Sequence, residues 1–207
     1  MLTFIAGPPR SGTTLLTGLL SASLGAPLMA ECGALAEIIR HRLTAFALDG
    51  EHQVHAFAKT EADIDAAAAC YIEGLLANRD PGPLVLKSPD LCHLLPVLPR
   101  FFRRPMRTVC IVRDPRDVIA SLMQVRERQG EARDLVDAAD FLGGFYDDID
   151  KALADPHPRN PVHLIRYEDM AVRNGKALAG LSAFLGAKLK VRDYAGMPAD
   201  ALDPGNP

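Results

Sequence analysis

The segment Gly7-Pro8-Pro9-Arg10-Ser11-Gly12-Thr13-Thr14 places two glycines, a cation and paired threonines directly after the apolar run Leu2 to Ala6. Backbone N–H groups in such a strand-to-helix loop, with the positive end of the following helix, suit a phosphate or another tetrahedral anion. The Gly-x4-Gly spacing matches a phosphate-binding loop with Thr14 at its Ser/Thr position, but Thr13 stands where a triphosphate site needs lysine. A nucleoside triphosphate therefore fits poorly, and Arg10 is the cation inside the loop. Pro9, Arg10, Ser11, Gly12, Thr13 and Thr14 are the candidate anion contacts. The plain alternative, a Gly-Pro turn between strand and helix, leaves the coincidence of cation, threonines and helix start unexplained.

A second constellation runs from Val112-Arg113-Asp114-Pro115-Arg116-Asp117 to Ser121. Asp114 suits a helix cap and Pro115 the first helical position. Arg113 then leaves the C-terminal end of a parallel strand, where open α/β sheets bind ligands. A cation beside a helix N-terminus opposes the macrodipole unless an anion lies between them. Ser121 lies about two turns into the helix. A well-capped helix with solvated charges explains Asp114 and Pro115 but explains Arg113 less well.

Together the two motifs resemble the sulfotransferase family. The resemblance implies that Pro8-Pro9-Arg10-Ser11-Gly12-Thr13-Thr14 takes the 5′-phosphosulfate of 3′-phosphoadenosine 5′-phosphosulfate (PAPS). It implies that Arg113 and Ser121 take the 3′-phosphate, and that the product is PAP. Leu86-Lys87-Ser88-Pro89 is similar to the family's strand-end lysine motif, and Arg166-Tyr167-Glu168-Asp169-Met170 to its late strand end. The implied fold is a single P-loop-like α/β domain whose central parallel sheet is flanked by helices on both faces. The implied activity moves a sulfuryl group from PAPS to an acceptor hydroxyl on a small molecule, a carbohydrate or a tyrosyl group, with no metal required.

Sulfuryl transfer, like phosphoryl transfer, needs an in-line acceptor and stabilisation of oxygens carrying spread negative charge. Arg10 and Lys87 are expected to supply that charge. Arginine cannot release a proton, so Arg10 reads as an electrostatic clamp, while Lys87 can follow the leaving phosphate oxygen. The acceptor also needs a base. Small-molecule members of the family carry histidine two residues after the strand-end lysine, where this chain has Pro89. Tyrosylprotein-type members use a glutamate shortly after the first helix, and Glu31 is the match. Two readings of Glu31 stay open, the base or a first-turn acid favouring a helix from residue 33. Glu37 reads as a solvated helix residue, and His93 as one that packs or caps within the helix after Asp90.

Two other functions compete for these residues. One is an atypical P-loop kinase, which would need Mg²⁺ and an aspartate at a strand end. The other is a non-catalytic nucleotide-binding module on the same fold, since fold alone does not decide function.

The elements that must hold these residues read as strand and helix in alternation. Strands are expected over 2–6, 83–87, 107–113 and 162–167. Helices are expected from the loop to Leu24, over 33–48 and 61–78, from Asp114-Pro115, over 134–154, and from Ala177 until Gly186 stops the last. Short apolar strands separated by helices imply a parallel sheet covered on both faces. Residues 1–194 are expected to form the domain and 195–207, with three prolines, a loose tail.

The chain of 207 residues is 48% hydrophobic with net charge −3, which excludes global disorder and argues against a dedicated nucleic-acid partner. Six arginines between 100 and 116 read as an anion site or solvated rim, and five aspartates between 137 and 150 as a solvated helix face. The four cysteines, with no CxxC pair, read as buried free thiols rather than metal ligands or disulfides. No basic leader precedes an apolar run, and no run is long enough to span a membrane, so a soluble cytoplasmic protein is expected. A homodimer is left open.

Overall fold

The computed structural model describes residues 1–28, 31–44, 60–77, 82–131 and 134–189. Its four strands are β1 (Leu2–Ala6), β2 (Leu84–Lys87), β3 (Met106–Val112) and β4 (Val162–Arg166), all parallel, in the order β2-β1-β3-β4. Every residue of β1 and β2 is buried, as near-continuous apolar runs require when both sheet faces are covered. Leu2 registers with Leu84 on one side and with Met106 on the other. β4 is an edge strand, and its Leu164 and Arg166 are exposed.

The helices are α1 (Thr13–Leu24), α2 (33–44), α3 (Glu61–Ala77), α4 (Leu98–Phe101), α5 (Pro115–Arg128), α6 (Leu135–Ala154), α7 (Tyr167–Ala171) and α8 (Gly175–Leu185). A 3-10 helix covers Pro89–Leu94. On one sheet face Phe4, Leu86 and Cys110 pack with Ile39 of α2, Ile72 of α3 and Phe145 of α6. On the other, Ile5, Val109 and Ile165 pack with Leu16 and Leu20 of α1 and Leu181 of α8. The expected α/β fold with helices on both faces is thus present.

Differences from the expected elements are small and have local causes. β4 stops at Arg166 because Tyr167 already begins α7. α8 begins at Gly175 rather than Ala177, because Asn174 caps it by accepting from the backbone N–H groups of Lys176 and Ala177. Cys92 and Cys110 are buried, but Cys70 on α3 is exposed, which corrects the expectation of four buried thiols. All four are free. The far end of the 33–48 helix, the 194/195 boundary and the tail lie outside the described residues.

The basic stretch is spent largely on the framework. Arg100 pairs with Glu61 and Asp65, Arg104 with Glu73, and Arg107 donates to the Phe184 carbonyl. In the acidic stretch, Asp137 meets Arg126, and Asp148 meets His93 and Lys151. Among the described residues no group of three or more His, Cys, Asp or Glu side chains is placed to hold a metal ion, and no helix is long and apolar enough to cross a membrane.

Candidate active site

β1 and β3 are neighbours, yet the chain leaving β1 leads to β2 on one side and the chain leaving β3 leads to β4 on the other. Such a divergence opens a crevice beyond the C-terminal strand ends, the preferred ligand position of open α/β sheets. The loop Gly7–Thr14 follows β1 and the Arg113 motif follows β3, so the order of strands brings the two motifs together.

The loop closes tightly. A Cβ on Gly7 would lie 2.3 Å from the Ile111 carbonyl oxygen of β3. Gly12 has φ of +93°, and a Cβ there would lie 2.5 Å from Tyr167 Cδ2. Both positions therefore require glycine. Ser11 is buried, and both its hydroxyl (2.6 Å) and its backbone N–H (3.2 Å) donate to the Pro8 carbonyl. Its side chain closes the loop. α1 starts on Gly12 with no side-chain cap and no acid in its first turn, whereas α5, α6 and α8 each start on an Asp or Asn that accepts backbone N–H groups.

Arg10, exposed and in the left-handed region at φ +68°, donates through Nε to Ser121 Oγ on α5 at 3.1 Å. Arg113 Nη1 lies 3.5 Å from the Arg10 carbonyl oxygen, and its guanidinium stands 4.6 Å over the Tyr167 ring. Arg113 Nη2 is 3.6 Å from Asp117, while its buried Nε has no hydrogen-bond partner among the described residues. Asp114 caps α5 as expected, and the Arg116 side chain and backbone N–H together hold its carboxyl down to about 2.

The other two expected catalytic residues meet each other. Lys87, at the end of β2 and almost buried, places Nζ 2.7 Å from Glu31 Oε1 and donates to Thr14 Oγ1 at 3.2 Å. The Lys87 carbonyl accepts from the Cys32 backbone N–H at 2.8 Å and from its thiol at 3.2 Å, which fixes the segment carrying Glu31. Burial pushes the Cys32 thiol up to about 12, so it stays protonated. The Glu31 side chain is about half exposed, its carboxylate turned to Lys87.

Glu37 pairs with Arg40, and His93 packs on Phe145 and meets Asp148, so neither joins this group. An apolar cavity of about 620 Å³ between α2 and α3, lined by Ile38, His41, Ile64, Ala68 and Tyr71 among others, shares no lining residue with it. Two side chains of the late motif quoted from the sequence, Tyr167 and Glu168, touch the site, and one further side chain that was not expected there does so too. This is Tyr146, in mid-α6, which carried no such signal.

Residues 3–190 match the model of the Sulfotransferase family. Two solved structures share the fold. The sulfotransferase domain from the curacin biosynthetic pathway aligns at 22% identity and TM-score 0.59, over 99% of this chain and 80% of that one. The sulfotransferase domain of the Synechococcus PCC 7002 olefin synthase aligns at 22% identity and TM-score 0.63, over 98% of this chain and 80% of that one. No curated protein matches the chain.

Proposed function

The chain belongs to the sulfotransferase family, and from that premise we propose that it transfers a sulfuryl group from PAPS to an acceptor hydroxyl, releasing PAP. The observation that carries this reading is the 3.1 Å contact from Arg10 to Ser121, which joins the loop after β1 to the helix after β3. One extended nucleotide with an anionic group at each end can span two such motifs. The residues fit it: the glycine-lined loop opens an uncapped helix, and Arg113 keeps a buried Nε without a partner among the described residues.

When bound, PAPS supplies the sulfuryl group and a phosphate leaving group. Gly12, Thr13 and Thr14, with Pro9 and Ser11 shaping the turn, would hold its 5′ end, and Arg113 and Ser121 its 3′-phosphate. Arg10 stays charged throughout and neutralises oxygens of the group in transfer. Lys87, steered by Thr14, stands where an ammonium can offset charge on the departing oxygen. Glu31 accepts the acceptor hydroxyl's proton, its side chain open enough to meet an acceptor arriving from solvent. No step assigned to these residues calls on a metal ion. Acceptor type (small molecule, carbohydrate or tyrosyl), a cytoplasmic location and a domain boundary at 194 remain part of the same reading.

The kinase alternative gains nothing from the fold, since the four described strands end in Ala6, Lys87, Val112 and Arg166, none of them an aspartate. The deciding experiment is a thermal-shift titration with PAP, ATP and ATP-Mg²⁺, followed by turnover of labelled PAPS against a panel of hydroxyl acceptors. PAP should raise Tm without metal, and ATP should have little effect. A response confined to ATP-Mg²⁺ would sink the proposal, and PAP binding without turnover on any acceptor would favour the non-catalytic module.

A further inference from the structure

The peptide unit joining Arg113 to Asp114 is the point where β3 ends and α5 begins. Its two polar groups fall between the strand ladder and the helix, and each is met by a side chain. Tyr146 Oη, from α6, donates to the Arg113 carbonyl oxygen at 2.8 Å. Glu168 Oε1, from α7, accepts from the Asp114 N–H at 2.8 Å. One rigid plane is thus held at both ends by two different helices.

Arg113 projects from the edge of that plane. Its stack on Tyr167, its reach to the Arg10 carbonyl and its buried Nε all depend on where its Cα–Cβ bond points. We propose that Tyr146 and Glu168 are positioning residues that clamp the 113–114 peptide and so aim Arg113 at the nucleotide's 3′-phosphate. This rests on the reading of Arg113 given above. The donor is secure: burial, with the Asp114 and Glu168 charges nearby, raises the Tyr146 phenol, so it keeps its proton at neutral pH. The second Glu168 oxygen has no hydrogen-bond partner among the described residues and lies 3.5 Å from Arg166 Nε, an ion pair that favours the charged carboxylate.

The test compares PAP with AMP, which lacks only the 3′-phosphate, by calorimetric titration of the full chain. Tyr146→Phe and Glu168→Ala should each weaken PAP about 3- to 10-fold, the span of one lost hydrogen bond, and leave AMP almost unchanged. Glu168→Gln keeps a carbonyl acceptor for the Asp114 N–H and should restore most of the PAP affinity. Because both side chains act on one peptide, the Tyr146→Phe/Glu168→Ala double variant should lose less than the product of the single losses. A merely structural role would weaken both nucleotides alike, and that outcome, or failure of the glutamine rescue, overturns the clamp. If the wild-type protein binds PAP no tighter than AMP, the reading of Arg113 falls and the clamp with it. Discrimination in the wild type that survives in the variants overturns the clamp alone.

Discussion

Lys87 and Glu31 were each legible as single residues, one from a strand-end lysine motif and one from its place after the first helix. Their pairing was not, because no local pattern encodes a contact between the end of β2 and the segment before α2. The contact bears on the two readings of Glu31, since its carboxylate turns to an ammonium. Glu31→Gln keeps size and should lower kcat ~10²–10⁴-fold, the usual contribution of general acid–base catalysis, with PAP affinity little changed. A small rate loss with a lower Tm would instead return Glu31 to a helix-end role. Arg10→Ala should cut kcat at least ~10²-fold, as losing a preorganised transition-state contact does. It should also weaken PAP, because the same guanidinium holds Ser121. Arg113→Ala should weaken PAP by roughly 1.5–3 kcal/mol, the worth of a charge-assisted hydrogen bond, and barely touch adenosine 5′-phosphosulfate. Tyr146 stayed hidden for another reason. Helical spacing reveals which face a residue occupies, not which carbonyl its hydroxyl will find.

Helix starts divide into two kinds. α5, α6 and α8 open on Asp114, Asp134 and Asn174; the Asp114 cap was read from the sequence, whereas the Asn174 cap was not, and α8 begins two residues before the expected Ala177. α1 opens on Gly12 without such a cap, and the loop glycines marked it instead. The helix expected after Asp90 is the 3-10 helix Pro89–Leu94, while the four-residue α4 and the five-residue α7 escaped because neither is long enough to show a period. Gly12→Ala would put a Cβ 2.5 Å from Tyr167 Cδ2 at a φ that side chains avoid. It should cost about 1–3 kcal/mol in thermal unfolding and weaken PAP as Tyr167 is displaced. The α5 cap has a pH signature. Asp114 is held at about 2, below its ordinary 3.8, so its stabilisation is present above pH 3.8 and lost as pH falls toward 2. Asp114→Asn can still cap but carries no charge. The stability gap between wild type and this variant should therefore be open at pH 7, shrink below pH 3.8 and close only as pH falls through about 2 in acid-denaturation curves.

At the scale of the whole molecule, alternation of short apolar strands and helices was enough to expect a parallel sheet covered on both faces. Strand order was not readable, because nothing local says that β1 takes partners on both sides. That order is nevertheless what makes a site, since it sets the loop after β1 beside the turn after β3. A fragment ending at residue 105 lacks β3 and should show neither a cooperative thermal transition nor a PAP-induced shift by circular dichroism. The same central position has a consequence in time. β1 precedes the other described strands in the chain, yet its partners begin at Leu84 and Met106. At about 5–20 residues per second, Leu2 waits on the order of 5–20 s before Met106 is made. Until Leu84 is made, the five residues Leu2–Ala6, all buried in the finished sheet, have no described strand to pair with, and until Met106 is made they have β2 alone. The strand that anchors the loop after β1 is therefore unpaired while roughly the next 80 residues are made (roughly 4–16 s at the same rate), and slowing translation ahead of residue 84 should raise aggregation more than slowing it after residue 106.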